Sequence, residues 1–230
     1  MTKPHGSTSS QIKALAFDAY GTLFDVSSVS SCCEGHFPGK GAAISDAWRQ
    51  KQLEYTWLCS LMERYVDFWE LTSRSLRFAC RAQGVEPGEE ALVDMMESYL
   101  RLEPFQEVGA ALESLSRSIP LVILSNGTPE MLLKVTRHNG FSGFFKEILS
   151  VHALSVYKPS PRVYQMAEES LGLPRRQIGF VSANGWDAAG GRAFGLHTFW
   201  INRFDRPRET LGYEPHLEIS TLDDLEPLIR

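Results

Sequence analysis

Five short apolar runs, most of them separated by stretches of helical periodicity, constrain the fold of this chain more than any other feature of its sequence. They fall at residues 12–17, 120–124, 147–151, 177–181 and 197–201; the first ends at Asp18 with the Gly21-Thr22 break just after it, and the four later ones are rich in Val, Ile, Leu or Phe and bounded by Gly, Pro, Asn or Ser. Runs of this kind read as buried strands. Residues 108–116, 129–138, 161–171 and 188–194 carry helical periodicity between them. Strands alternating with helices imply a parallel sheet, because parallel neighbours need a crossover and the crossover helices cover both faces. The expected core is a doubly wound α/β structure.

Residues 28–101 break that rhythm and carry no strand signal. Leu58, Leu61, Met62, Tyr65 and Trp69 fall at i, i+3, i+4, i+7 and i+11, the spacing of one helix face. A second apolar set follows at Leu76, Ala79 and Cys80 and, past Gly84-Val85-Glu86-Pro87-Gly88, at Leu92, Met95, Met96 and Tyr99. This segment is expected to be an all-helical insertion, a cap over the open end of the sheet. The division that follows is a core of residues 12–27 and 102–230, a cap of residues 28–101, and a disordered tail of residues 1–11, which are polar and rich in Ser and Thr.

Composition excludes several classes of function. Hydrophobic residues at 43% and charged residues at 22% are the balance of a globular protein. A formal net charge of −5 offers no basic face for nucleic acid, although a local pocket for a small anion remains open. The apolar runs fall far short of the roughly 20 residues a membrane span needs, and the N-terminal residues have no apolar core for a signal peptide. A cytoplasmic location is the expectation. Cys32, Cys33, Cys59 and Cys80 form no Cys-x-x-Cys pair and are read as reduced structural thiols, with no His clustered at zinc-ligand spacing and no role assigned to Cys32-Cys33.

Open parallel sheets bind ligands beyond the carboxyl ends of their strands. The segments found there are Asp18-Ala19-Tyr20-Gly21-Thr22, Ser125-Asn126-Gly127-Thr128-Pro129, Tyr157-Lys158-Pro159 and Ser182-Ala183-Asn184-Gly185-Trp186-Asp187. Each alone is ordinary. An Asp at a strand end caps turns, Ser-Asn-Gly builds them, and a Lys before Pro is commonly a solvated charge. As plain sequence, Phe68 and Trp186 read as core more readily than as pocket. The conjunction, in this order and at these strand ends, is the informative observation.

The run Phe-Asp-Ala-Tyr-Gly-Thr-Leu, followed by Ser-Asn-Gly, Tyr-Lys-Pro and Val-Ser-Ala-Asn-Gly-Trp-Asp, resembles the haloacid dehalogenase superfamily and, more narrowly, its L-2-haloacid dehalogenases. The resemblance spans about residues 12–225 and includes Trp48-Arg49-Gln50-Lys51-Gln52-Leu53-Glu54-Tyr55 within the cap. It implies a Rossmann-like core with a helical cap, and a homodimer for which Trp57, Tyr65 and Trp69 are candidate contacts. Most of the superfamily are magnesium-dependent phosphatases with a second Asp two residues after the nucleophile and extra carboxylates on the fourth loop. Here those places hold Tyr20 and Ser182, Ala183 and Asn184, so the leaving-group acid is missing and the hard-oxygen set for Mg²⁺ is depleted. A halide leaves without a proton and needs only donors for its developing charge, which the guanidinium of Arg49 can supply.

The roles the resemblance implies follow residue by residue. Asp18 attacks C2 of a small anionic 2-haloacid, forming an enzyme ester with inversion. Thr22 and Lys158 position Asp18 and keep it ionised. Ser125 and the backbone N–H groups of Ala19 and Tyr20 grip the substrate carboxylate, while Arg49 and Asn126 receive the halide. Tyr164, Ser182, Asn184 and Asp187 arrange the lysine and the hydrolytic water. Tyr20, Gln50, Leu53, Phe68 and Trp186 wall the pocket. No cofactor or metal is implied. A phosphatase and a non-catalytic protein of the same fold are the rival readings. Ser160 departs from the family's usual Asp after Lys158-Pro159.

Overall fold

The computed structural model describes residues 12–229, so the expectation for residues 1–11 lies outside the described residues. Six parallel strands form one sheet: β1 (Ala14–Phe17), β2 (Leu121–Ser125), β3 (Glu147–Ser150), β4 (Ile178–Ser182), β5 (His197–Ile201) and β6 (Leu217–Ile219), in the order β3-β2-β1-β4-β5-β6. All four residues of β1, Ala-Leu-Ala-Phe, are buried, as are all five of β2 and of β4. They show no polar alternation because helices cover both sides of the sheet. Phe17 pairs with Ile123 on one side and Val181 on the other, so β2 runs two residues and β4 one residue past the tip of β1.

The strand order runs outward from β1 in one direction and from β4 in the other. The connections after these two strands diverge and leave a crevice at their carboxyl ends, where such sheets bind ligands. β6 went unrecognised in the sequence: it is a three-residue edge strand with two exposed positions, too short and too polar to show a period.

Four helices fill the span between β1 and the first core helix: α1 (Ser30–His36), α2 (Gly41–Leu61), α3 (Phe68–Ala82) and α4 (Glu89–Ser98). The core helices are α5 (Val108–Ser116), α6 (Pro129–His138), α7 (Pro161–Leu171), α8 (Gly185–Phe194) and the short α9 (Glu226–Ile229). The Leu76, Ala79, Cys80, Leu92, Met95, Met96 and Tyr99 set is buried inside the cap.

The Leu58-to-Trp69 stripe is a correction. α2 stops at Leu61, Glu63 takes a left-handed φ of 54°, and Asp67 accepts the N–H of Glu70 to start α3. The stripe is thus split between two helices and a turn, and Leu58, Leu61 and Met62 are 41%, 81% and 59% exposed. An Asx cap overrode an apparent period.

Candidate active site

Asp18 stands at the tip of β1 with 6% of its surface exposed, its N–H bonded to Val181 O at 2.9 Å. The next residues turn sharply: Gly21 adopts φ +88°, a conformation open to glycine, and donates to Phe24 O. This turn brings Thr22 back under the aspartate, where its hydroxyl donates to Asp18 Oδ2 at 3.0 Å and accepts the N–H of Ala183 at 2.8 Å. Asn184, from the loop after β4, donates to the same Oδ2 at 2.8 Å. Lys158 reaches the other oxygen, Oδ1, at 3.1 Å.

Lys158 is 1% exposed and lies between two carboxylates, bonding Asp187 Oδ2 at 2.8 Å as well as Asp18. Burial alone would lower its pKa, but Asp18 and then Asp187 more than reverse this, leaving the ammonium above the ordinary lysine value. Its backbone N–H is taken by Asn126 Oδ1 at 3.1 Å, and its Nζ sits 4.9 Å from the centre of the Phe180 ring. Asp187 is fully buried and accepts from Lys158, from the Tyr164 hydroxyl at 2.8 Å and from Ser182 Oγ at 3.0 Å. Burial, opposed by Lys158 and reinforced by Asp18, pushes its carboxyl up to about 6. Burial and Asp187 raise the Tyr164 hydroxyl far above the ordinary tyrosine range, so it stays a donor.

The cap contributes Arg49 from α2. Its Nη2 donates to Tyr20 O at 3.0 Å and to Asn184 Oδ1 at 3.4 Å, and its Nη1 donates to Gln52 Oε1 at 2.9 Å. Asn184 therefore joins the aspartate and the guanidinium, holding Asp18 with its amide nitrogen and Arg49 with its amide oxygen. Above them Tyr20 packs on Phe68 and Tyr99, with ring centres 5.6 and 5.7 Å apart. A cleft of about 520 Å³ opens beside Arg49, lined by Gly21, Leu53, Asn184, Trp186 and Trp200 among others.

Asp18, Thr22, Arg49, Lys158, Tyr164, Ser182, Asn184 and Asp187 thus form one hydrogen-bonded cluster. Tyr20 and Phe68 wall it, while Leu53 and Trp186 line the cleft. Ala19 follows Asp18 in the buried turn. Ser125 and Asn126 are buried at the tip of β2, with Ser125 Oγ accepting the N–H of Gly127 at 3.2 Å. Gln50 is the one candidate kept apart, being exposed and absent from these contacts. Gln52 takes the inward place instead: fully buried, it accepts from Arg49 and from the Tyr99 hydroxyl and donates to Thr72 Oγ1 at 2.7 Å. Its signal in the sequence was the i+3 step from Arg49, which places both on one helix face.

Comparison with known proteins agrees with this geometry. The model for haloacid dehalogenase-like hydrolases matches residues 12–195. The chain is 50% identical over 212 residues to an (S)-2-haloacid dehalogenase of Pseudomonas sp. (strain YL), covering 92% of this chain and 91% of that protein. It is 44% identical over 220 residues to haloacetate dehalogenase H-2 of Moraxella sp. (strain B), covering 95% and 98%. The structure of L-2-haloacid dehalogenase from Xanthobacter autotrophicus with chloropropionic acid covalently bound superposes with a TM-score of 0.91 at 38% identity, covering 95% of this chain and 98% of that one. With family-wide matches in sequence and in fold, and an aspartate held by a lysine at the switch point of the sheet, the chain belongs to the haloacid dehalogenase-like hydrolases, on the branch of the (S)-2-haloacid dehalogenases.

Proposed function

We infer that this protein is a hydrolytic dehalogenase that converts short L-2-haloalkanoic acids to D-2-hydroxy acids and halide through an ester on Asp18. The carrying observation is the Asn184 bridge, which sets the Asp18 carboxylate of the core beside the Arg49 guanidinium of the cap. In this reading Asp18 Oδ attacks C2, the C2–halogen bond breaks with inversion, and the halide leaves with the electron pair toward Arg49 and Asn126. Ser125 and the N–H groups of Ala19 and Tyr20 hold the substrate carboxylate. A water aligned by Ser182 and Asn184 then adds to the Asp18 carbonyl carbon, releasing the hydroxy acid and regenerating the carboxylate. Tyr164 and Asp187 hold Lys158 in place. Fixed donors aimed at the departing charge in a largely buried site supply the main rate gain.

The phosphatase alternative is disfavoured by what the site's groups do. Position 20 is a tyrosine walled in by Phe68 and Tyr99, and Asp187 is saturated by Lys158, Tyr164 and Ser182. Among the described residues no leaving-group acid stands beside Asp18, and Asp187 is not free to bind a hard cation. The proposed reaction therefore proceeds without metal. We also take residues 28–101 as the cap, place the protein in the cytoplasm, and propose a homodimer joined near the exposed end of α2.

The test is halide release from both enantiomers of 2-chloropropionate, with chiral analysis of the product and a parallel run in EDTA. Release from the L enantiomer giving D-lactate, unchanged by EDTA, is expected. Retention of configuration, or turnover of phosphate esters in place of the haloacid, would overturn the assignment. Single turnover in ¹⁸O-water should place the label in Asp18.

A further inference from the structure

We propose that the cap carries a divalent-cation site of the zinc class, built from Cys32, His36 and Asp94. Cys32 and His36 are four residues apart on α1 and share a face, while Asp94 comes from α4, which packs across it. Their donor atoms all lie within 4.8 Å of one another. Cys32 Sγ is 3.5 Å from Asp94 Oδ2, and His36 Nε2 is 2.8 Å from the same oxygen. A tetrahedral zinc with ordinary bond lengths sets its S···O and N···O edges at about 3.6 and 3.4 Å. The sulfur–oxygen edge is thus already in place, and the histidine needs to withdraw by about 0.6 Å. Cys32 and His36 are half-buried and Asp94 is exposed, so an ion can enter from solvent.

The donor set selects the metal. One thiolate, one imidazole and one carboxylate suit zinc or a similar borderline ion and match magnesium or calcium poorly. Glu90 and Glu97, each within a turn of Asp94 on α4, line the same groove as His36 and add a negative field that favours a cation. A nucleophilic role fits less well. In cysteine hydrolases an imidazole faces the thiol, but here the carboxylate stands between them. Burial and then Asp94 push the Cys32 thiol up, which disfavours a reactive thiolate. A bound cation reverses that sign by displacing the thiol proton and satisfying both partners. Cys-x-x-x-His is not a linear zinc motif; the helix and the distant Asp94 complete the site.

This site lies outside the catalytic cluster, so its test is independent of halide release. Chelator-treated protein is titrated with zinc while Tm is followed, and Cys32 alkylation is measured by mass spectrometry with half-buried Cys59 as the internal control. One equivalent is expected to bind. At metal about a hundredfold above Kd, Tm should rise by about 5–10 °C. Alkylation of Cys32 should slow and that of Cys59 should not. Cys32→Ser, His36→Gln and Asp94→Asn should each weaken binding by about 100-fold or more. Cobalt in place of zinc should show a thiolate charge-transfer band that Cys32→Ser abolishes. Equal zinc responses in the three variants and the parent, or Cys32 alkylation indifferent to zinc, would overturn the site and leave only a His36–Asp94 hydrogen bond.

Discussion

A lysine 1% exposed between two carboxylates is tolerable only because both partners are present. Removing one member of such a group strands an uncompensated buried charge. Lys158→Met leaves Asp18 and Asp187 facing each other, and urea denaturation should show a loss of about 3–5 kcal/mol together with loss of halide release. Asp187 makes a second prediction at this scale. Its carboxyl is raised to about 6 in the folded chain, against about 3.9 for an unperturbed aspartate. A raised acid contributes stability that is complete below the unfolded value and is lost as pH rises through the folded one. Catalysis needs the opposite state, because the ionised carboxylate is what holds Lys158. The rate should therefore fall on acidification with a midpoint near pH 6 in kcat/KM. Over pH 5 to 8, the parent should lose stability relative to Asp187→Asn. A kcat/KM profile flat to pH 5 would refute the assignment. The identities of these residues were legible in the sequence, because strand ends nominate a site without geometry. Their interdependence was not, since Lys158 lies 140 residues from Asp18.

At the scale of elements, α2 does most to shape the site. Trp48, Arg49 and Gln52 lie on its inward side: Trp48 Nε1 donates to Thr72 O at 2.8 Å, tying α2 to α3, and Gln52 joins Arg49, Tyr99 and Thr72 into one network. Gln52→Leu removes the buried acceptor that the Tyr99 hydroxyl and Arg49 Nη1 share. It should lower stability by about 1–3 kcal/mol and kcat by roughly tenfold or more while KM changes less, since in the proposed mechanism the guanidinium acts on the departing halide. Stopped-flow halide detection beside thermal melts separates the two effects. The helical character of the cap was readable from its apolar spacing, but which face of α2 points inward was not. Gln50 and Gln52 are chemically identical, and only the phase of the helix against the core decides between them. The same limit explains the Leu58-to-Trp69 stripe, where a capping aspartate outweighed a period of apolar residues.

For the molecule as a whole, the site exists only where cap and core meet. Arg49 is tied to Tyr20 and Asn184 of the core, and Tyr65 of the cap bonds His152 of the core at 3.0 Å. The exposed apolar group Leu58, Leu61 and Met62 at the end of α2 is left uncovered in one chain. If two chains cover it, sedimentation should show a dimer, and Leu61→Glu should shift it toward monomer with the fold retained. A monomeric parent at micromolar concentration would remove the dimer from the account.

The sequence by itself determined five of the six strands, their alternation with the core helices, the helical run that follows β1 and the loops at the strand ends. Each of these is a local property: apolar runs, turn residues and a helical period act within a few residues of one another. Tertiary structure decided what depends on two segments meeting. It chose Gln52 over Gln50, split the stripe at Asp67, added the exposed edge strand β6, and brought Cys32 and His36 to Asp94, 58 residues beyond His36. The physical reason is that contact energies at short range depend on the relative phase and approach of elements, and no spacing within one element encodes where its neighbour will stand.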